Sequence, residues 1–395
     1  MLSERIKNMR ESATLKMASL ARALKSQGVD VIDLSLGEPD FDTPQHIKDA
    51  AKEALDAGYT KYTPVAGLLE LREAICEKFQ RDNDLHFQAS QIVVSNGAKQ
   101  SIANLCLSLL DPGDEAVVFS PYWVSYAEII HLAEGVFVPV YAGVEQDFKV
   151  LPEQLEAAIT PKTKIVLFSS PCNPTGSVYG RDELAALVQV LAKYPNIVVI
   201  ADEIYEYIHF SGKHLSIGTF EAIRDRTVTV NGFSKGFAMT GWRLGYIGAP
   251  QWIADACTKI QGQFTSGAAS FSQRAATVAL RSDQSATQQM NDAFRQRRDL
   301  VVAALEKIPG IKTNKPEGAF YCFPDVTHFF GKKHEGRTIQ HANDLCMYLL
   351  QEAHVSVVEG DAFGAPNCIR LSYATSPEKL TEALSRMAEA LAKLS

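Results

Sequence analysis

The sequence has no apolar run long enough to span a bilayer, which removes the transmembrane class. Its first residues, Met1-Leu2-Ser3-Glu4-Arg5-Ile6-Lys7, lack the apolar stretch of a secretory signal. The 7 cysteines form no CxxC pair and their number is odd. That argues against a disulfide framework or a zinc ribbon, and for a cytoplasmic, reducing environment without a metal site. Repeats, low-complexity tracts and blocks of like charge are also missing. Basic residues are in deficit, with a formal net charge of −7, so neither nucleic acid nor an anionic membrane is expected as a partner. Asn173-Pro174-Thr175 has the outline of a glycosylation acceptor but carries the excluded proline.

What is present is a chain of 395 residues, 46% of them hydrophobic, enough for a large α/β domain and a smaller companion. Short, apolar, β-branched runs alternate with helical patterns. The strands read as Ile92-Val93-Val94, Ala116-Val117-Val118-Phe119, Ile165-Val166-Leu167-Phe168, Ile197-Val198-Val199-Ile200 and Val228-Thr229-Val230. Thr43-Pro44 introduces a helix at Gln45 with Ile47, Ala50, Ala51, Ala54 and Leu55 on one face. Further helices are predicted through Leu68, Leu71, Ile75 and Phe79, through Ile102, Leu105, Cys106 and Leu109, and over 182–194 and 292–308. In the last third, strands at 318–323, 355–358 and 369–373 are fewer per helix. Ser376-Pro377-Glu378 opens the final helix as N-cap, first position and first-turn acid. The pattern predicts an α/β fold. A large domain over 46–285 carries a mostly parallel central sheet between helices, and a smaller α+β domain combines 1–45 with 286–395.

Several polar residues sit where such a sheet opens at its carboxyl edge. Ser95-Asn96-Gly97-Ala98-Lys99 joins a strand to a helix; it is either an ordinary turn or an anion site built on the free N–H groups of Gly97, Ala98 and Lys99. Lys235, flanked by Ser234 and Gly236, follows the strand Val228-Thr229-Val230. It is either a solvated lysine or an amine that holds an aldehyde as an imine. Arg243, eight positions on, could add a bidentate grip on a phosphate. Asp202 ends a strand and can pair with a pyridinium nitrogen, while Tyr205 and Asn173 can donate to a ring hydroxyl. Trp123 is a core residue or a stacking partner for the ring. Arg370 points to the opposite sheet face from Ile369 and Leu371, either into solvent or toward a carboxylate. Together these groups supply what pyridoxal 5′-phosphate chemistry requires.

As a set, the motifs resemble the fold-type I pyridoxal-phosphate-dependent aminotransferases. They are Asn173-Pro174-Thr175-Gly176, Asp202-Glu203-Ile204-Tyr205, Ser234 to Arg243, and Arg370-Leu371-Ser372-Tyr373-Ala374. Gly37-Glu38-Pro39-Asp40-Phe41-Asp42-Thr43-Pro44 and Ser120-Pro121-Tyr122-Trp123-Val124-Ser125-Tyr126 are similar to the bacterial aspartate aminotransferase branch of class I. The resemblance implies that the large domain binds the cofactor, with Lys235 as its covalent anchor and acid–base, Asp202 its ring-nitrogen partner and Trp123 its stacking residue. Asn173 and Tyr205 are implied as ring-hydroxyl ligands and Arg243, with Ser234, as a phosphate ligand. It further implies a homodimer in which Tyr62 reaches the neighbouring subunit's cofactor phosphate. Gly37 is implied to contact the substrate and Arg370 to clamp its α-carboxylate. Lys99 stands where related families carry serine or threonine; with Thr14, it is implied to recognise a distal carboxylate. The expected activity is two-stage transfer of the amino group of aspartate or glutamate to a 2-oxo acid, with prephenate as a further acceptor. The rivals are an aromatic or neutral amino acid aminotransferase, a β-lyase of the same fold, and a non-catalytic regulator.

Overall fold

β-branched runs buried on both faces build the centre of the molecule. The computed structural model describes residues 2, 3, 6, 7, 9 and 11–395; Met1, Glu4 and Arg5 of the N-terminal stretch lie outside them. The strands, in chain order, begin with β1 (Ile32–Asp33), β2 (Ile92–Ser95), β3 (Glu115–Ser120), β4 (Val136–Tyr141) and β5 (Thr163–Ser169). β6 (Val198–Asp202), β7 (Thr227–Gly232) and β8 (Gly245–Gly248) follow. Seven of these form one sheet in the order β2-β8-β7-β6-β5-β3-β4. The pairs β4-β3, β3-β5, β5-β6 and β6-β7 are parallel, and β8 runs antiparallel to both its neighbours. Helices cover both faces, giving separate buried clusters around Ile102 and Leu167, and around Leu187 and Phe168.

A smaller body follows from β9 (Tyr321–Cys322), β10 (Lys333–His334), β11 (Arg337–Thr338), β12 (Val355–Ser356), β13 (Val358–Glu359) and β14 (Ile369–Ser372). β13, β14 and β9 make a three-stranded antiparallel sheet, and β12 pairs in parallel with β1. Its core joins Met17, Ala21 and Leu34 from the start of the chain to Phe294, Tyr348 and Met387. The N-terminal segment is thereby tied to the C-terminal third. The last helix, Pro377–Ala392, is capped as its sequence predicts: Ser376 Oγ accepts from the Lys379 N–H.

The structure departs from the pattern reading in identifiable places. The expected strand over 318–323 shrinks to β9, because Ala319 adopts a left-handed φ of 57° that breaks the extended run. The run over 355–358 divides into β12 and β13, which pair with different strands in opposite senses. β4 contains Pro139, which the sheet tolerates because β4 is its edge. The helix expected from 292 begins at Ser285. Leu55, assigned to a buried helix face, is exposed.

Candidate active site

The parallel strands end at one edge of the sheet, and there the candidate residues meet. A cavity of about 430 Å³ is walled by segments from both bodies. Asp202 is the last residue of β6 and is buried on the cavity wall. Its Oδ2 accepts from the Tyr126 hydroxyl at 2.6 Å and its Oδ1 from the Ile204 N–H at 3.2 Å. Burial pushes its carboxyl up to about 6, against the pull of the Tyr126 hydrogen bond and the Ile204 N–H.

Lys235 lies in the turn beyond β7, and its Nζ donates to the Gly37 carbonyl at 2.5 Å. Burial lowers this amine to about 8, with the Arg370 and Arg243 charges acting in the same direction and Glu38 opposing them. The turn is held by the loop containing Gly37. Thr43 Oγ1 donates to the Ala238 carbonyl at 2.6 Å, and the Trp242 indole N–H donates to Thr43 at 3.0 Å. That loop is pinned in turn by a bidentate pair between Asp40 and the buried Arg297, at 2.6 and 3.0 Å. Glu38 bonds the Thr240 hydroxyl on the same wall.

The helix Ala98–Leu109 starts at the other side of the cavity, so the N–H groups of Ala98 and Lys99 sit at a helix N-terminus. Arg243, in a left-handed conformation with φ 55°, donates to the Thr240 carbonyl at 2.8 Å and lies beside Gly97. A Cβ on Gly97 would stand 2.6 Å from the Arg243 Nη2, so glycine is what lets the guanidinium close on the helix start. Gly97 itself backs the cavity rather than lining it. Ser234 completes this end.

Opposite, Arg370 projects from β14 and is only 2% exposed. It donates to Asn173 Oδ1 at 3.0 Å and to the Ser35 carbonyl at 2.6 Å, and its guanidinium lies 4.5 Å from the Tyr321 ring centroid. Its Nε is buried without a partner. A buried guanidinium that lines a cavity is a poised anion site. Burial lowers its affinity for its proton, with the Tyr321 and Tyr205 hydroxyls acting against that.

Trp123 and Lys99 share one wall, the ammonium 4.9 Å from the indole centroid. Burial lowers the Lys99 pKa, assisted by the Arg243 charge. Thr14, at the start of the helix Ala13–Ser26, lines the cavity mouth nearby. Tyr205 is buried with its hydroxyl 2.8 Å from that of Tyr321. Besides Gly97, which backs the wall, Tyr62 is an expected site residue that this cavity does not gather: it is 98% exposed and lines no part of the wall. Pattern reading did not single out Tyr126, Tyr321 or Glu38 by role. Tyr126 closes a quoted motif, which was a usable signal; Tyr321 sits in a short strand with none.

The arrangement can bind two anions at opposite ends, hold a cationic ring nitrogen between them, and present a partly neutral amine at the centre. The family model described as aminotransferase class I and II matches residues 29–387. An aspartate/prephenate aminotransferase of Nitrosomonas europaea is 46% identical over 99% of both chains. An aspartate aminotransferase of Rhizobium meliloti strain 1021 is 44% identical over 100% of this chain and 97% of its own. Among solved structures, the aspartate aminotransferase from Rhizobium meliloti superposes with a TM-score of 0.97 at 43% identity, covering 100% of each chain. The Thermus thermophilus aspartate aminotransferase with maleate gives 0.93 at 41%, covering 99% of each.

Proposed function

The chain belongs to the class I and II aminotransferases, and from that premise we propose that it moves the α-amino group of aspartate, and of glutamate, to a 2-oxo acid such as 2-oxoglutarate. Pyridoxal 5′-phosphate is the cofactor of this reading, and prephenate a further acceptor. The observation that carries it is the convergence of Asp202 from the end of β6, Lys235 and Arg243 from the β7–β8 connection, and Arg370 from β14 on one cavity.

The residues fit the cofactor. A buried amine lowered to about 8 suits covalent capture of an aldehyde, and Gly97 lets the Arg243 guanidinium close on the helix start, bringing its charge to the N–H groups that would meet a phosphate. Lys235 would carry the cofactor through Nζ, and Asp202 would face its ring nitrogen. Arg243, Ser234 and the N–H groups of Ala98 and Lys99 would hold the phosphate. Trp123 would cover a ring face; Asn173 and Tyr205 would donate to the ring hydroxyl. When bound, this cofactor is an electron sink that lets the Cα–H bond of an amino acid break and keeps the amino group for the second substrate.

The remaining work belongs to the chain. Lys235 Nζ, freed when substrate takes its place, receives the Cα proton and returns it on the way to product. Its lowered basicity lets it do both near neutral pH. Arg370 holds the α-carboxylate, which fixes Cα beside Lys235. Lys99 and Thr14 receive the distal carboxylate, and Gly37 contributes backbone contact. Maleate in the Thermus protein is itself a dicarboxylate, in keeping with this choice. The chain acts as a homodimer in which the exposed Tyr62 reaches the partner's phosphate site. Its free thiols suit the cytoplasm. The domains divide as 46–285 against 1–45 with 286–395, supported by the buried cluster shared by Met17, Leu34, Phe294 and Met387.

Single-turnover reactions of the reconstituted protein with a panel of amino donors, read from cofactor absorbance, test the assignment. Aspartate and glutamate should react faster than alanine or phenylalanine. Lys99→Ala should slow the dicarboxylic donors about tenfold or more while sparing alanine, as loss of a charged hydrogen bond implies. Equal slowing of both, or release of ammonia with pyruvate, would refute the reading in favour of a neutral aminotransferase or a lyase.

A further inference from the structure

We propose that Tyr126 is the positioning residue of Asp202: its phenol holds one carboxylate oxygen, so that the acid meets the cofactor's ring nitrogen as an anion in a fixed orientation. This rests on the cofactor assignment above.

Asp202 takes one hydrogen bond from its own segment, through the Ile204 N–H two residues on. The other comes from 76 residues away, from the second residue of the helix Ser125–Leu132, at the short distance of 2.6 Å. The Tyr126 ring is buried in the cluster that includes Ile102, Ile130 and Leu167. It stands edge-on to Trp123, with centroids 5.5 Å apart and planes at 84°. The phenol therefore has little freedom to point elsewhere. A donor held rigidly against a carboxylate does two things: it fixes the carboxylate's plane and it favours the charged form.

The second effect is needed here. Burial acts against the Asp202 anion, and so does the adjacent Glu203 carboxylate. On the other side stand the Tyr126 hydroxyl, the Ile204 N–H and the Lys235 charge. Ser169 and Cys172 face Tyr126 from β5 and the loop beyond it, and Tyr205 faces Asp202. None of these supplies another hydrogen bond to the carboxylate. Removing the phenol leaves the acid with one backbone donor in a buried setting. Its preference then shifts toward the neutral form, which cannot keep a ring nitrogen protonated. Trp123 links the two roles: the ring that would cover the cofactor's face also packs the phenol that sets the acid beneath it.

The test uses holoprotein loaded with pyridoxal phosphate carrying ¹⁵N in its ring. Tyr126→Phe keeps the aromatic ring and its packing. Its ¹⁵N resonance should move from the protonated toward the unprotonated position, with kcat down about tenfold or more and KM within about twofold. Asp202→Asn combined with Tyr126→Phe should be no slower than Asp202→Asn alone, because the phenol acts through that acid. An unchanged ¹⁵N shift in Tyr126→Phe, or additive losses in the double variant, would overturn the proposal. If Tyr126→Phe does not fold, the Tyr126 hydroxyl proton decides. It should resonate far downfield in the wild type and move upfield in Asp202→Asn; no movement overturns the assignment. A chain that takes up no pyridoxal phosphate sinks the functional reading with it, whereas uptake with an unmoved ring shift sinks only the role of Tyr126.

Discussion

An ordinary lysine is almost wholly charged at neutral pH and a poor nucleophile. Lys235 differs because burial, with Arg370 and Arg243 nearby, lowers it to about 8. The sign matters: below that value the ammonium dominates, and above it the free amine does. Covalent capture of pyridoxal phosphate by the apoprotein should therefore quicken about tenfold per pH unit up to about 8 and then level off. Stopped-flow absorbance across pH 6–10 checks this; a rise that continued toward 10.5 would mean an unperturbed amine. Lys235, Asp202 and Arg243 were legible in the sequence because each follows a short β-branched run or a glycine-punctuated turn, and a parallel sheet puts such places on one edge. The roles of Tyr126, Tyr321 and Glu38 were not, although Tyr126 and Glu38 lie within recognisable motifs, because what gives each a role is a partner far away in the chain.

At the scale of elements, the site is a junction of strand ends with one helix start. β8 brings Gly245 against the beginning of the helix Ala98–Leu109, where a Cβ would lie 2.1 Å from the Ala98 nitrogen. Backbone cannot move aside as a side chain can. Gly245→Ala should cost about 1–3 kcal/mol of stability through overpacking and should weaken phosphate-dependent cofactor binding. Gly241→Ala, where nothing stands within 4 Å, is the control and should leave both unchanged. Thermal melts and cofactor titration of the two variants make the comparison. The same closeness explains why β8 escaped pattern reading: glycines at both ends look like turn signals, yet here they are the condition for packing. β2, β3, β5, β6 and β7 carried no such conflict and were readable to within two residues, whereas β4, interrupted by Pro139, was not read as a strand.

In the whole molecule, the loop bearing Asp202 and Tyr205 rests on a buried polar network. Lys78 pairs with Glu206, Asn83 donates to Glu206 at 2.7 Å, and Ser216 donates to Glu203 at 2.6 Å. His214 Nε2 lies 3.0 Å from Glu203. Burial works against its protonation, but the Glu203 and Glu206 carboxylates prevail and raise its pKa. This network joins the helix Leu69–Asn83 to the active-site loop. Removing one partner of a buried ion pair strands the other, so Lys78→Met should lower unfolding free energy by about 3–5 kcal/mol in denaturant titration. A loss below about 1 kcal/mol would show that Glu206 finds another partner. The helix Leu69–Asn83 is thus tied to the segment that follows the acid, and Lys235 and Asp202 line the same cavity. The central claim concerns that lysine. Borohydride reduction of the holoprotein followed by peptide mapping should leave a single pyridoxyl group on Lys235; a label on Lys99, on any other residue, or on none would contradict it.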